Sequence, residues 1–102
     1  MLTDTLNIAV TRTAESRLSK TDFDNLPFGK TFSDHMFIAD YESGEWKNFQ
    51  IVPYGEITLS PAISALHYGQ AFFEGIKAYK HADGRIAIFR PEKNAERSNR
   101  SA

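Results

Sequence analysis

Two strand-like runs, 71–80 and 85–90, flank His81-Ala82-Asp83-Gly84, where the Asp-Gly pair supplies the tight reversal of an antiparallel hairpin. This feature constrains the fold most, because it fixes both the direction and the partner of each run. Pro91-Glu92 follows directly, and proline suits the first helical position, where its missing N–H would go unpaired in any case. Two acids, Glu92 and Glu96, then lie toward the positive end of the helix dipole. A hairpin feeding a helix is therefore predicted for the last third of the chain.

Upstream, Leu6, Ile8 and Val10 alternate with Asn7, Ala9 and Thr11, the two-residue period of a half-buried strand over 6–12. The segment Asp22 to Lys30 holds Pro27 and Gly29 among polar residues and reads as a loop or linker. His35–Tyr41 and Trp46–Val52 are rich in aromatic and branched residues, with Glu42-Ser43-Gly44-Glu45 between them as a turn, so a second hairpin is expected. Ser60-Pro61 opens a short helix over 61–67. Strand pairs and helices in this order give an α+β class of antiparallel strands with a C-terminal helix. The helix from Pro91 has only Ala95 and Ala102 as apolar residues and no glycine or proline terminator. So short and polar a helix is marginal alone, and the chain reads as a truncated piece whose helix is buttressed by something beyond it.

With 102 residues the chain can form one small domain with little stability to spare. Lys plus Arg number 12 and Asp plus Glu 13, a net charge of −1, so no global field points to nucleic acid or an anionic membrane. The absence of cysteine excludes a disulfide framework and thiolate metal sites. The opening MLTDTLNIAVTRTAESRL carries an acid at Asp4 and no long apolar core, unlike a secretory signal or a membrane span. A soluble cytoplasmic protein is the expectation.

If 71–80 is a strand, Phe73, Gly75, Lys77 and Tyr79 share one face and Phe72, Glu74, Ile76 and Ala78 the other. A glycine inside a strand marks a bulge or a ligand close to the main chain, and both readings stand. Lys93, Arg97 and Arg100 fall at i, i+4 and i+7 on the final helix. This basic face is either a solvated surface or a place where a guanidinium fork grips a phosphate. A small anion- or nucleic-acid-binding module using helix 91–102 is the alternative function it would serve. His35 and His67 have no second ligand nearby in sequence, so no metal site is expected. Asp34 and His35 diverge at the start of a strand and make no dyad. Gly55, Gly69 and Gly75 do not form a phosphate-cradling loop.

The run Ala65-Leu66-His67-Tyr68-Gly69-Gln70-Ala71-Phe72-Phe73-Glu74-Gly75-Ile76-Lys77-Ala78-Tyr79 resembles the segment ALHYGxxxFEGxKAY of branched-chain amino-acid aminotransferases. Phe89-Arg90-Pro91, Asn94, Arg97, Arg100, Ser101 and Ala102 resemble that family's FRPxxNxxRxxRSA helix. Phe28-Gly29-Lys30-Thr31-Phe32-Ser33-Asp34-His35-Met36 is similar to its FGxxFxDHM segment. These three ordered blocks cover 28–36 and most of 65–102.

The resemblance implies a fold-type IV enzyme that uses pyridoxal 5'-phosphate, with the cofactor enclosed between a small N-terminal α/β domain and a larger C-terminal one, usually in a homodimer. Here 1–30 would be an N-terminal strand and linker and 31–102 the incomplete small domain, with the C-terminal catalytic domain absent. The implied reaction moves an amino group between leucine, isoleucine or valine and 2-oxoglutarate. Arg97 matches the family's phosphate-gripping arginine. Tyr68, Phe73 and Gly75 match positions that line the substrate pocket, Tyr68 reaching into the partner subunit's site. Lys77 stands at a pocket-side position where some members have arginine, which leaves its role open. The family's Schiff-base lysine and the glutamate facing the pyridine nitrogen lie in the C-terminal domain, and none of Lys20, Lys30, Lys47, Lys77, Lys80 and Lys93 takes that lysine's place. No catalytic residue is therefore expected in this chain, and the piece alone is expected to be inactive.

Overall fold

A computed structural model describes residues 6–102, in a first unit that ends at Ile57 and a second unit, Thr58–Ala102. In the first unit β1 (Ala9–Val10), β2 (His35–Glu42) and β3 (Glu45–Pro53) form one sheet in the order β1-β3-β2. Ser43 and Gly44 link β2 to β3 with φ of 55° and 82°. Positive φ at both central residues is what a two-residue hairpin turn needs to match the twist of its strands. The expected hairpin therefore forms, from His35↔Pro53 to Glu42↔Glu45.

The ladder slips between Ile38 and Asp40, so β3 carries one extra residue there. Asn48 absorbs it with φ 57°, a left-handed conformation that asparagine tolerates better than most side chains, and its Nδ2 donates to Asp40 Oδ2 at 2.9 Å. Cross-strand ring pairs support the hairpin on both sides of the slip: Phe37 stacks on Phe49 at 6.3 Å, and Tyr41 meets Trp46 edge-on at 5.1 Å.

The strand expected over 6–12 shrinks to Ala9–Val10. It lies parallel to β3, with Ala9↔Gln50 and Val10↔Ile51, and Thr11 N donates to Ile51 O at 2.9 Å. Alternation was present along the whole run, but backbone partners were available for only its middle. The chain then passes through a single turn of 3-10 helix at Leu18–Lys20 and the loop expected at 22–30. It is fastened back at Asp34, whose carboxylate accepts from Ser16 Oγ at 2.5 Å and Arg17 N at 2.8 Å. These contacts, with the Ser16 hydroxyl first, hold the Asp34 carboxyl below its ordinary range. Arg17 also lies 5.6 Å over the Tyr54 ring, which stacks on Phe32 at 4.6 Å.

The second unit contains α1 (Ser64–His67), the hairpin β4 (Ala78–Lys80) and β5 (Ile86–Ile88), and α2 (Pro91–Ser101). The hairpin turn is where Asp83-Gly84 predicts it. Gly84 has φ 87° and donates to His81 O at 2.9 Å, while His81 N donates to Arg85 O at 2.8 Å. Its strands are much shorter than the expected 71–80 and 85–90, because the ladder runs only from Ala78↔Ile88 to Lys80↔Ile86. Residues 71–77 lie outside any ladder, so their alternating pattern does not set two sheet faces. The helix expected over 61–67 begins only at Ser64. Ser60, Pro61 and Ala62 instead form a turn closed by Ala62 N donating to Ser60 Oγ at 3.2 Å and Ile63 N to Ser60 O at 3.1 Å. Pro91 opens α2 as the sequence predicts.

Among the described residues no hydrophobic side chain is fully buried, and no helix is long and apolar enough to cross a membrane.

Candidate functional site

In the second unit the sheltered positions include a charged pair of segments rather than an apolar cluster. Glu74 and Asn94 are half-buried, while Phe73, Gly75 and Ile76 around Glu74 are exposed. The α-helical spacing of α2 puts Asn94 and Arg97, three residues apart, on one face toward the 74–75 segment. Asn94 Nδ2 donates to Glu74 Oε1 at 2.8 Å and to the Gly75 carbonyl at 2.9 Å. Arg97 Nε donates to Glu74 Oε2 at 2.8 Å, and its Nη2 donates to Glu74 Oε1. The contact is the two-pronged fork that a planar guanidinium makes with a carboxylate.

The electrostatics follow from these bonds. The Arg97 fork, then the Asn94 amide, hold the Glu74 carboxyl at about 2 against an ordinary 4.5, and partial burial opposes them. Glu74 in turn raises the Arg97 pKa above its ordinary value, first through the hydrogen bonds. The Glu74 side chain is only 15 % exposed, whereas that of Arg97 is 60 % exposed. Of the five N–H donors of a guanidinium, two are committed to Glu74, and the rest of the fork stands toward solvent.

Each residue singled out in the sequence can now be located. Arg97 and Gly75 are linked through Glu74 and Asn94, Arg97 and Asn94 both donating to the Glu74 carboxylate and Asn94 also to the Gly75 carbonyl. Phe73 is 93 % exposed and Tyr68 81 % exposed, Tyr68 at the C-terminal cap of α1, where its N–H donates to Ser64 O at 2.8 Å. Lys77 places its ammonium 5.1 Å over the Tyr79 ring. A Cβ added at Gly75 would meet nothing within 4 Å, and Gly75 lies outside the β4–β5 ladder, so neither packing nor a bulge in that ladder calls for glycine there. Glu74 and Asn94 escaped sequence reasoning because the assumed strand put Glu74 on the face away from Gly75. The available signal was Asn94 and Arg97 on one helix face, with a single acid in the preceding motif.

The other candidates resolve into local contacts. Asp34 and His35 turn to separate partners, His35 Nε2 accepting from Thr13 N at 3.0 Å. His67 Nε2 lies 2.6 Å from the Pro61 carbonyl. On the basic face of α2, Lys93 Nζ contacts both Glu96 carboxylate oxygens, at 3.1 and 2.9 Å, and Arg97 pairs with Glu74 through two of its donors. The alternative of an anion- or nucleic-acid-binding module gains no support from it.

No family model matches the chain. Individual proteins do. It is 52 % identical over 83 residues, 80 % of its length, to branched-chain-amino-acid transaminase 1 of Bacillus subtilis. It is 42 % identical over 102 residues, 99 % of its length, to branched-chain-amino-acid aminotransferase 2 of the same organism. It is 48 % identical over 95 residues, 92 % of its length, to the branched-chain-amino-acid aminotransferase of Mycolicibacterium smegmatis. The matches span 23 %, 27 % and 26 % of those relatives, about a quarter of their length. On these likenesses the chain is similar to a stretch of branched-chain aminotransferases that spans about a quarter of their length.

Proposed function

We propose that this chain is the small N-terminal domain of a fold-type IV, pyridoxal-phosphate-dependent transaminase, a cytoplasmic homodimer that exchanges amino groups between leucine, isoleucine or valine and 2-oxoglutarate. The observation that carries the reading is the Arg97 fork, held by Glu74 within the same motifs that carry the family resemblance. The residues present fit a phosphate monoester: Arg97 keeps unspent N–H donors on an exposed edge, and charge-assisted bonds to phosphate are the strong use of that fork. Arg97 would hold the cofactor's phosphate. When bound, pyridoxal phosphate supplies the sink for the electrons left as the substrate's Cα–H bond breaks.

This chain's own work is binding and shaping. Phe73 offers an apolar wall, the bare backbone at Gly75 leaves room beside it, and Tyr68 would extend into the partner subunit's site. Lys77 is assigned to the pocket rim, its charge steadied over Tyr79. The lysine and the glutamate that complete the chemistry belong to the larger domain, so this chain supplies no proton-transfer group of its own.

An apolar wall discriminates by burying methylenes, at about 0.8 kcal/mol each. In the full-length enzyme Phe73→Ala should therefore lower kcat/KM for leucine roughly ten- to hundredfold more than for alanine. Equal losses for the two donors would remove Phe73 from the pocket.

A further inference from the structure

From the Glu74–Asn94–Arg97 contacts we infer that Glu74 is a positioning residue for phosphate binding, holding the Arg97 guanidinium so that its outer edge is presented ready-made to the cofactor's phosphate. The inference rests on the reading of Arg97 as the phosphate ligand and adds a residue to which the motif assigned no role.

Three observations carry it. Glu74 is the sheltered member of the pair, at 15 % exposure against 60 % for Arg97, so the carboxylate is the fixed end and the guanidinium the presented end. Glu74 is itself fixed, because Asn94 donates both to its Oε1 and to the neighbouring Gly75 carbonyl, tying side chain and main chain to the same helix. The bonds from Arg97 use Nε and Nη2, which sets the plane of the guanidinium and leaves Nη1 free of this carboxylate. A long side chain that would otherwise sample many rotamers is thereby ordered before any ligand arrives, and ordering cost is what preorganisation removes from binding.

A carboxylate near a phosphate also repels it, so the two effects have opposite signs and the experiment decides between them. The Glu74 charge is already offset by the guanidinium it pairs with, and the exposed Arg97 charge is the one presented outward, so the orienting effect should win.

The test uses the full-length enzyme in apo form, titrated spectroscopically with pyridoxal phosphate and, separately, with pyridoxal, which lacks the phosphate. Glu74→Gln should weaken pyridoxal phosphate about three- to tenfold, the scale of one immobilised long side chain, and leave pyridoxal unchanged. Asn94→Ala should act in the same direction and more weakly. In an Arg97→Ala background, Glu74→Gln should have no further effect.

If Arg97→Ala itself leaves pyridoxal phosphate affinity unchanged, the phosphate-ligand reading fails and the positioning role fails with it. If Arg97→Ala weakens binding but Glu74→Gln does not, or tightens it, only the positioning role is overturned. Equal weakening of both probes by Glu74→Gln and by Asn94→Ala would make Glu74 a structural residue and overturn it likewise.

Discussion

At the scale of single residues, Glu74 gives the clearest pH dependence. Its carboxyl is held at about 2 in the folded chain against an ordinary 4.5, so the folded state takes up the proton less readily than the unfolded one. A depressed folded-state value stabilises the fold above the unfolded pKa, and that contribution disappears as pH falls through the folded one. Stability contributed by Glu74 should thus be complete above about 4.5 and be lost between there and about 2. We predict that Glu74→Gln in the full-length enzyme lowers Tm at neutral pH, and that the gap from the parent closes as pH is lowered across this window. Asp34, also depressed, is common to both proteins and cancels from the difference. A gap that stays constant with pH would trace the loss to packing instead of to the ion pair. Of this site the sequence disclosed Arg97, through the family motif, because a motif names a residue without needing its partner. Glu74 stayed hidden because its partners lie 20 and 23 residues away, in Asn94 and Arg97, and a local strand pattern pointed its side chain elsewhere.

At the scale of elements, both hairpins were legible because their turns carry the signal: Ser43-Gly44 and Asp83-Gly84 each demand a reversal whatever surrounds them. Strand extent was not legible, since 6–12 and 71–77 have the alternation of strands but little or none of the backbone pairing, and pairing is a long-range property. The parallel contact of β1 with β3 is of the same kind, joining residues about forty apart. The junction from β5 into α2 carries a strain that sequence did not announce. Arg90 takes φ 48° and ψ 56° immediately before Pro91, although it is neither glycine nor asparagine. Left-handed backbone costs a residue with a Cβ about 1–2 kcal/mol, and β-branching makes it worse. Its ion pair with Glu92, at 3.7 Å and exposed on both sides, offsets little of that. Among Arg90→Gly, Arg90→Ala and Arg90→Val, all of which lose the pair, the order of stability should be Gly, Ala, Val, with about 1–2 kcal/mol between the ends in thermal unfolding. The reverse order would mean that the junction relaxes to right-handed backbone at no cost.

At the scale of the whole molecule, the telling quantity is exposed apolar surface. Phe28, Phe73, Tyr68 and Phe89 are 103, 93, 81 and 78 % exposed, and no hydrophobic side chain among the described residues is fully buried. Folding must offset about 1–2 kcal/mol of backbone entropy for each ordered residue, and burial of apolar area, at about 25 cal/mol per Å², is the main term that does so. Hairpins and a helix can be encoded locally, as they are here, without the burial that would make them cooperative. The polarity of α2 points the same way, because such a helix depends on packing more than on its own propensity. The relatives are about four times as long as the stretch they share with this chain. We therefore predict that the 102-residue chain produced by itself melts over a broad range without a sharp transition, binds the apolar-surface dye ANS strongly, and does not transaminate leucine when given pyridoxal phosphate and 2-oxoglutarate. The full-length enzyme should melt sharply and bind little dye under the same conditions. Circular dichroism with temperature and dye fluorescence on the two proteins side by side provide the check. A sharp melt with little dye bound by the short chain would show that its hairpins and α2 suffice for a closed core, and leucine turnover would show that it carries a cofactor-anchoring lysine after all.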